Sequence, residues 1–247
     1  MTAARIAGMA ARPLGRNLLT TGWFHDLAER EFDRRHGVAT CGTIETADLT
    51  FPDALRGDAV EYSPSLGPML PLALSRLGVD LGRYAFVDLG CGKGKAMLMA
   101  SSFPFRRIVG VELADELHRA ALANVSAYRS RHQVCREIEV RHGDATQFEF
   151  PAEPLVVFMY NPFMGGVMDR VLAGLAETLG QSPRDAVLIY DNPREARRVE
   201  QRFGIEPVDG IAPRAGWLIG RLTPRPEPQG RPLVSPTVRP QPVPLTA

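Results

Sequence analysis

The sequence predicts an α/β fold built on a mostly parallel sheet, and three observations carry that reading. Short apolar, β-branched runs alternate with helical periods from residue 84 to residue 222, which is the pattern of βαβ units. A glycine-rich turn, Gly90-Cys91-Gly92-Lys93-Gly94, joins the first of those runs to a helix. The last run, 216–222, follows a helix-free link after residues 205–208, which allows an antiparallel pair at one end of the sheet.

A chain of 247 residues, 45% of them apolar, can bury one sizeable core with room for a small N-terminal addition. A formal net charge of +1 gives no electrostatic footprint for nucleic acid or for an anionic membrane surface. Lys93 and Lys95 are lysines while nearly all the other basic residues are arginines, a compositional bias. Cys41, Cys91 and Cys135 lie far apart, which speaks against a zinc site or a disulfide framework and suits a reducing, cytoplasmic setting. No apolar run approaches the roughly 18 residues of a spanning helix.

In chain order, residues 1–22 contain Arg5, Arg12 and Arg16 and no acid. They read as a loosely ordered leader, because Arg12, Pro13 and Arg16 interrupt any secretory apolar core. Residues 23–36 form an amphipathic helix with Phe24, Leu27, Ala28 and Phe32 on one face, ended by Gly37. Residues 38–61 are irregular, and a second helix spans 66–77, with Pro71 near its first turn. Together, 23–80 read as a helical cap.

The domain proper is 81–223. Its strands fall at 84–89, 107–111, 138–141, 155–160, 186–190 and 216–222, and its helices at 96–102, 116–128, 167–179 and 194–202. From 224 to 247, proline and arginine dominate and no apolar period survives, so this stretch reads as a disordered tail of polyproline II character.

The chemistry concentrates at strand ends. Gly90, Gly92 and Gly94 give GxGxG, which lets bare backbone approach a ligand at a helix start. Dinucleotide sites use GxGxxG; here the third glycine comes one residue early and Lys95 stands where that pattern wants glycine. With Asp88 ahead of the turn to accept from an ammonium, the spacing favours S-adenosylmethionine (SAM) over NAD. Glu112 ends the second strand, where a carboxylate can take both ribose hydroxyls. Asp144, followed by Ala145, lies where an acid can accept from the adenine amine, or it is a turn residue. Asp191 either lines an acceptor pocket or flanks a helix. His118, His132 and His142 show no ligand spacing and imply no metal.

DLGCGKG, VGVEL, GDA and YNPF, in that order over about residues 60–222, resemble the class I SAM-dependent methyltransferases. The resemblance implies a Rossmann-like seven-stranded sheet of order 3-2-1-4-5-7-6, strand 7 antiparallel, with helices on both faces. It also implies SAM as cofactor. Tyr62, in Glu61-Tyr62-Ser63-Pro64-Ser65, is loosely similar to the tyrosine that caps SAM in non-SET protein lysine methyltransferases. Tyr160-Asn161-Pro162-Phe163 resembles the (D/N)PP(Y/F) segment that holds an acceptor nitrogen, but lacks its second proline, which weighs against nucleic-acid bases. The implied partner is an amine-bearing protein or small molecule, with Asn161 on the nitrogen and Tyr160 and Phe163 walling the pocket. O- or C-methylation, or a non-catalytic SAM- or nucleotide-binding module, are the alternatives. Oligomeric state is not legible.

Overall fold

The computed structural model describes residues 22–64, 69–208, 211 and 216–226. The predicted leader up to residue 21, and the predicted tail from 227 onward, lie outside the described residues.

Seven strands form one sheet: β1 (Ala85–Leu89), β2 (Arg107–Glu112), β3 (Ile138–His142), β4 (Leu155–Tyr160), β5 (Ala186–Asp191), β6 (Phe203–Glu206) and β7 (Trp217–Pro224). Their order is β3-β2-β1-β4-β5-β7-β6. The first five pair in parallel, and β7 runs antiparallel to both β5 and β6. This is the Rossmann-like sheet the sequence predicts. The four strands β1, β2, β4 and β5 are buried almost throughout, as strands covered on both faces must be. Edge strand β3 is only partly covered.

The helices are α1 (Gly22–His36), α2 (Asp53–Arg56), α3 (Met69–Ser75), α4 (Lys95–Ala100), α5 (Asp115–Ala127), α6 (Gly165–Gln181) and α7 (Ala196–Arg202). Alternation along the strands divides the core in two. Phe86, Ile108, Phe158 and Ile189 pack with Leu70, Leu74 and Met97 of α3 and α4 on one face. Val87, Val157, Leu188 and Tyr190 pack with α6 and with Val199 of α7 on the other. Helix α6 buries Val167, Met168, Val171, Leu172, Leu175 and Leu179, an apolar stripe at helical spacing.

The second helix runs from Met69 among the described residues, with Pro71 in its first turn, and the predicted start at 66 lies outside them. The end of the sheet differs from expectation. Strand β6 follows α7 without a loop, so the helical pattern hides it; buried Phe203 anchors it. Strand β7 runs to Pro224, and the Arg225 N–H donates to the Arg202 carbonyl at 2.9 Å. Within the irregular stretch 38–61, α2 forms one short helical turn.

Candidate active site

The carboxyl ends of β1, β2 and β4 open into one cleft, continuous with solvent. Ten of the eleven predicted site residues line it: Tyr62, Asp88, Gly90, Gly92, Glu112, Asp144, Ala145, Tyr160, Asn161 and Phe163. Gly94 is not brought there. It starts α4 with φ 83°, and a Cβ on it would sit 3.5 Å from Ala121 of α5. Its left-handed φ is what asks for glycine there.

The two other glycines are held by what leans on them. Gly90 has φ 71°, and an added Cβ would lie 2.4 Å from the Pro162 Cβ. The YNPF turn therefore rests directly on the glycine loop. Gly92 has φ 55°, and its added Cβ would lie 2.3 Å from the Tyr62 ring. A side chain there would first displace Tyr62. The Tyr62 hydroxyl donates to the Thr40 carbonyl at 2.6 Å, which fixes the ring over the loop.

Two buried carboxylates face the cleft. Glu112 accepts from the Gly92 N–H and the Ala114 N–H, each at 2.9 Å. A carboxylate has about four lone-pair positions, so two remain for hydroxyl donors. Asp88 is 2% exposed. Burial, and secondarily the Glu112 charge, push its carboxyl up to about 8. Burial raises Glu112 as well, against the pull of the Ala114, Gly92 and Leu113 N–H groups and of His142, its register partner on β3. Among the described residues, no cation is one of the causes that act on Asp88. An arrangement of this kind is relieved by a cationic ligand.

Asp144 does two things at once. One oxygen accepts from the Thr146 N–H at 2.8 Å and caps a short 3-10 turn, yet the residue also lines the cleft. The turn-residue reading and the adenine reading are compatible. Asp191 is buried, and burial pushes its carboxyl up to about 7, but it does not line this cleft.

At the β4 end, Asn161 adopts a left-handed φ of 42°. It is 5% exposed, and its amide oxygen is buried with no hydrogen-bond partner. Such a group costs about 1–3 kcal/mol left unpaired. Phe163 is buried beside it and forms an isolated bridge with Ala59. Asp58 secures this turn: its carbonyl accepts from the Met164 N–H at 2.9 Å, and its carboxylate from the Val167 N–H at 3.0 Å.

Sequence reasoning missed the latch over the glycine loop. Asp33 of α1 accepts from the Thr40 N–H, the Thr40 hydroxyl and the Cys41 N–H at 2.6–2.9 Å. The Lys93 ammonium donates to the Cys41 carbonyl at 2.8 Å, and Asn124 of α5 bonds both Ala39 and the Lys93 carbonyl. It also missed Lys95, 5% exposed in the cleft wall, whose ammonium lies 5.6 Å from the Phe32 ring centroid. Burial lowers the Lys95 ammonium, against the charges of Glu29 and Asp33. A lysine opening the otherwise apolar helix KAMLMA was the available signal.

No family model and no curated protein matches the chain. Among solved structures it is similar to an RNA methyltransferase from Salinibacter ruber in complex with S-adenosyl-L-homocysteine, at 21% identity over 68% of this chain and 97% of that one, TM-score 0.44. It is also similar to a ribosomal protein L11 methylase from Lactobacillus delbrueckii subsp. bulgaricus, at 14% identity over 64% and 77%, TM-score 0.44. A third similarity is to a SAM-dependent methyltransferase from Thiobacillus denitrificans in complex with S-adenosyl-L-homocysteine, at 20% identity over 50% and 48%, TM-score 0.36. The fold stands on the strand order of this chain itself. Among the described residues, no helix is long and apolar enough to cross a membrane.

Proposed function

We propose that the chain is a SAM-dependent methyltransferase that holds its cofactor in this cleft and transfers the methyl group to an amine at Asn161. The cofactor reading is supported by the charges. SAM carries a cationic sulfonium and a zwitterionic amino-acid head. Asp88 and Lys95 lie in one cleft wall, so Asp88, giving up its proton as a cation binds, suits the ammonium and Lys95 the carboxylate. The free lone pairs of Glu112 suit the ribose hydroxyls, and Asp144 with Ala145 the adenine edge. Tyr62 covers the loop.

The observation that carries the acceptor reading is the buried, unpaired amide oxygen of Asn161. It sits in a turn that touches the glycine loop at Gly90, so cofactor and acceptor share one wall. An amide oxygen accepts an N–H from a neutral amine and turns the nitrogen lone pair toward the methyl carbon. The N–C bond forms as the C–S bond breaks, and the sulfur keeps that electron pair. S-adenosylhomocysteine leaves, and the methylated ammonium loses its proton to solvent. Catalysis is then chiefly alignment, with Tyr160 and Phe163 bounding the acceptor space.

The test is incubation of the full chain with methyl-labelled SAM and fractionated cell extract. Label in protein or in small amines supports the proposal. Label in RNA or in hydroxyl groups replaces the acceptor assignment, and no label anywhere removes the methyltransferase reading. Asn161→Gly keeps the left-handed backbone open to the turn and deletes the amide. It should lower turnover on the labelled acceptor roughly 10- to 1000-fold and leave SAM affinity nearly unchanged.

A further inference from the structure

We propose that Asp115, His118 and His142 form a binding site for a divalent cation of the zinc class, beside the turns that carry Glu112 and Asp144. Neither histidine has a part in the cleft, and the sequence places them on separate elements. The fold brings them together: Asp115 and His118 stand three residues apart in the first turn of α5, and His142 ends β3. One ligand atom from each of the three lies within 4.8 Å of the others.

The local chemistry fits a metal. The His142 Nε2 lies 3.0 Å from the Leu113 carbonyl oxygen. A carbonyl only accepts, so Nε2 carries the hydrogen, and in the neutral ring the Nδ1 lone pair remains for a ligand. Metal-binding histidines are held in this way by a carbonyl behind the ring. The His118 and His142 rings stack at 4.8 Å between centroids and 19° between planes, so the two imidazoles already lie side by side, and joint ligation turns them out of the stack until their in-plane lone pairs converge. Arg119 donates to Asp115 Oδ2 at 2.9 Å, which leaves Oδ1 open. Free N–H groups in the first turn of a helix disfavour a cation; Asp115 and Glu116, both in that turn, offset them. Glu116 itself is engaged by Thr50.

Two imidazole nitrogens and one carboxylate oxygen select zinc-class ions over calcium or magnesium, which take oxygen ligands. Ligand bonds of about 2.0–2.1 Å put tetrahedral donors about 3.3 Å apart. The donors, within 4.8 Å of one another, draw closer on binding, and His142 is exposed while Asp115 and His118 are half-buried. The fourth position would be held by water. A bound ion would tie the start of α5 to the end of β3. These flank Leu113 and Gly143, the neighbours of Glu112 and Asp144. Binding of the ion does not depend on the methyltransferase reading, so the two can fail separately.

The test is calorimetric titration of the full chain with zinc chloride, alongside its melting temperature. One equivalent should bind and raise the melting temperature. His118→Ala and His142→Ala should each weaken binding roughly tenfold or more, and the double variant should abolish it. Cys41→Ser, which removes a half-buried thiol, should leave the zinc stoichiometry and affinity unchanged. If either histidine variant lowers the metal-free melting temperature, Asp115→Asn supplies the same comparison. Absence of zinc binding, binding that survives the double variant, or binding lost with Cys41→Ser would each overturn the site.

Discussion

Two Asn-Pro turns stand side by side at the carboxyl edge of the sheet, and the fold uses them differently. Tyr160 and Asp191 are register partners at the ends of β4 and β5. Each is followed by an asparagine in the left-handed region, Asn161 at φ 42° and Asn192 at φ 51°, and then by proline. Asn192 is absorbed by the sheet: its N–H donates to the Gly216 carbonyl at 2.8 Å, where the chain enters β7. Asn161 has β1 as its other neighbour, whose strand ends in bare glycine, and its amide oxygen is left buried and unpaired in the cleft. The same dipeptide closes a strand end in one place and opens a site in the other. What decides is the neighbouring strand: an antiparallel one that returns, or a parallel one that turns away in a glycine loop.

Breaking the contact between the turn and the loop should have the largest effect. Gly90→Val forces a β-branched residue to a positive φ, about 1–2 kcal/mol, and drives its Cβ into Pro162, about 1–3 kcal/mol of overpacking. Urea unfolding should show the sum, and calorimetry should show SAM binding lost. Separating the two turns comes next. Asn161→Gly should cost turnover as stated above, whereas Asn192→Gly should change it less than about twofold, since the bond it makes is from the backbone. Equal losses in the pair would erase the distinction.

Asp88 gives a smaller effect with a definite pH sign. In the folded, unliganded protein its carboxyl keeps a proton up to about pH 8, against an ordinary value of 3.8. The folded state then holds a proton that the unfolded state has lost, so stability falls as pH rises through that window and is flat above it. Asp88→Asn should therefore be more stable than the parent in thermal melts, by a gap that widens from pH 4 to pH 8. It should also bind SAM roughly 10- to 150-fold more weakly, the loss of a charge-assisted hydrogen bond of about 1.5–3 kcal/mol. Removal of residues 227–247 should do least, leaving melting temperature and SAM affinity unchanged. Cutting earlier is a different experiment, because Arg225 bonds the Arg202 and Phe203 carbonyls.

Much of the site was legible because strand ends are local features. A run of apolar residues that stops at Asp88, Glu112 or Tyr160 puts the next residues at the carboxyl edge, whatever the rest of the chain does. The spacing of the early third glycine was legible, but not that Gly94 sits next to α5, off the cleft lining. Contacts between distant segments were not legible. Asp58 on the α6 start, Tyr62 over Gly92, Asp33 on Thr40 and the His118–His142 stack all depend on how residues 33–62 and the α5 turn dock against the sheet. Periodicity carries no information about that docking. Strand β6 was hidden for another reason: it continues from α7 with no turn residue between them.

The central claim is that ionised Asp88 and its neighbours hold SAM in this cleft. Its most direct test is calorimetry of SAM and of S-adenosylhomocysteine with the full chain at pH 6 and pH 8, in buffers of different ionisation heat, with NAD as the control ligand. Binding must discharge the proton that Asp88 keeps in the empty cleft. Proton release is expected at pH 6, with affinity rising by up to about tenfold per pH unit toward pH 8 and no heat from NAD. Binding of NAD without SAM would rule this site out, as would SAM binding whose heat is the same in every buffer and whose affinity does not change with pH.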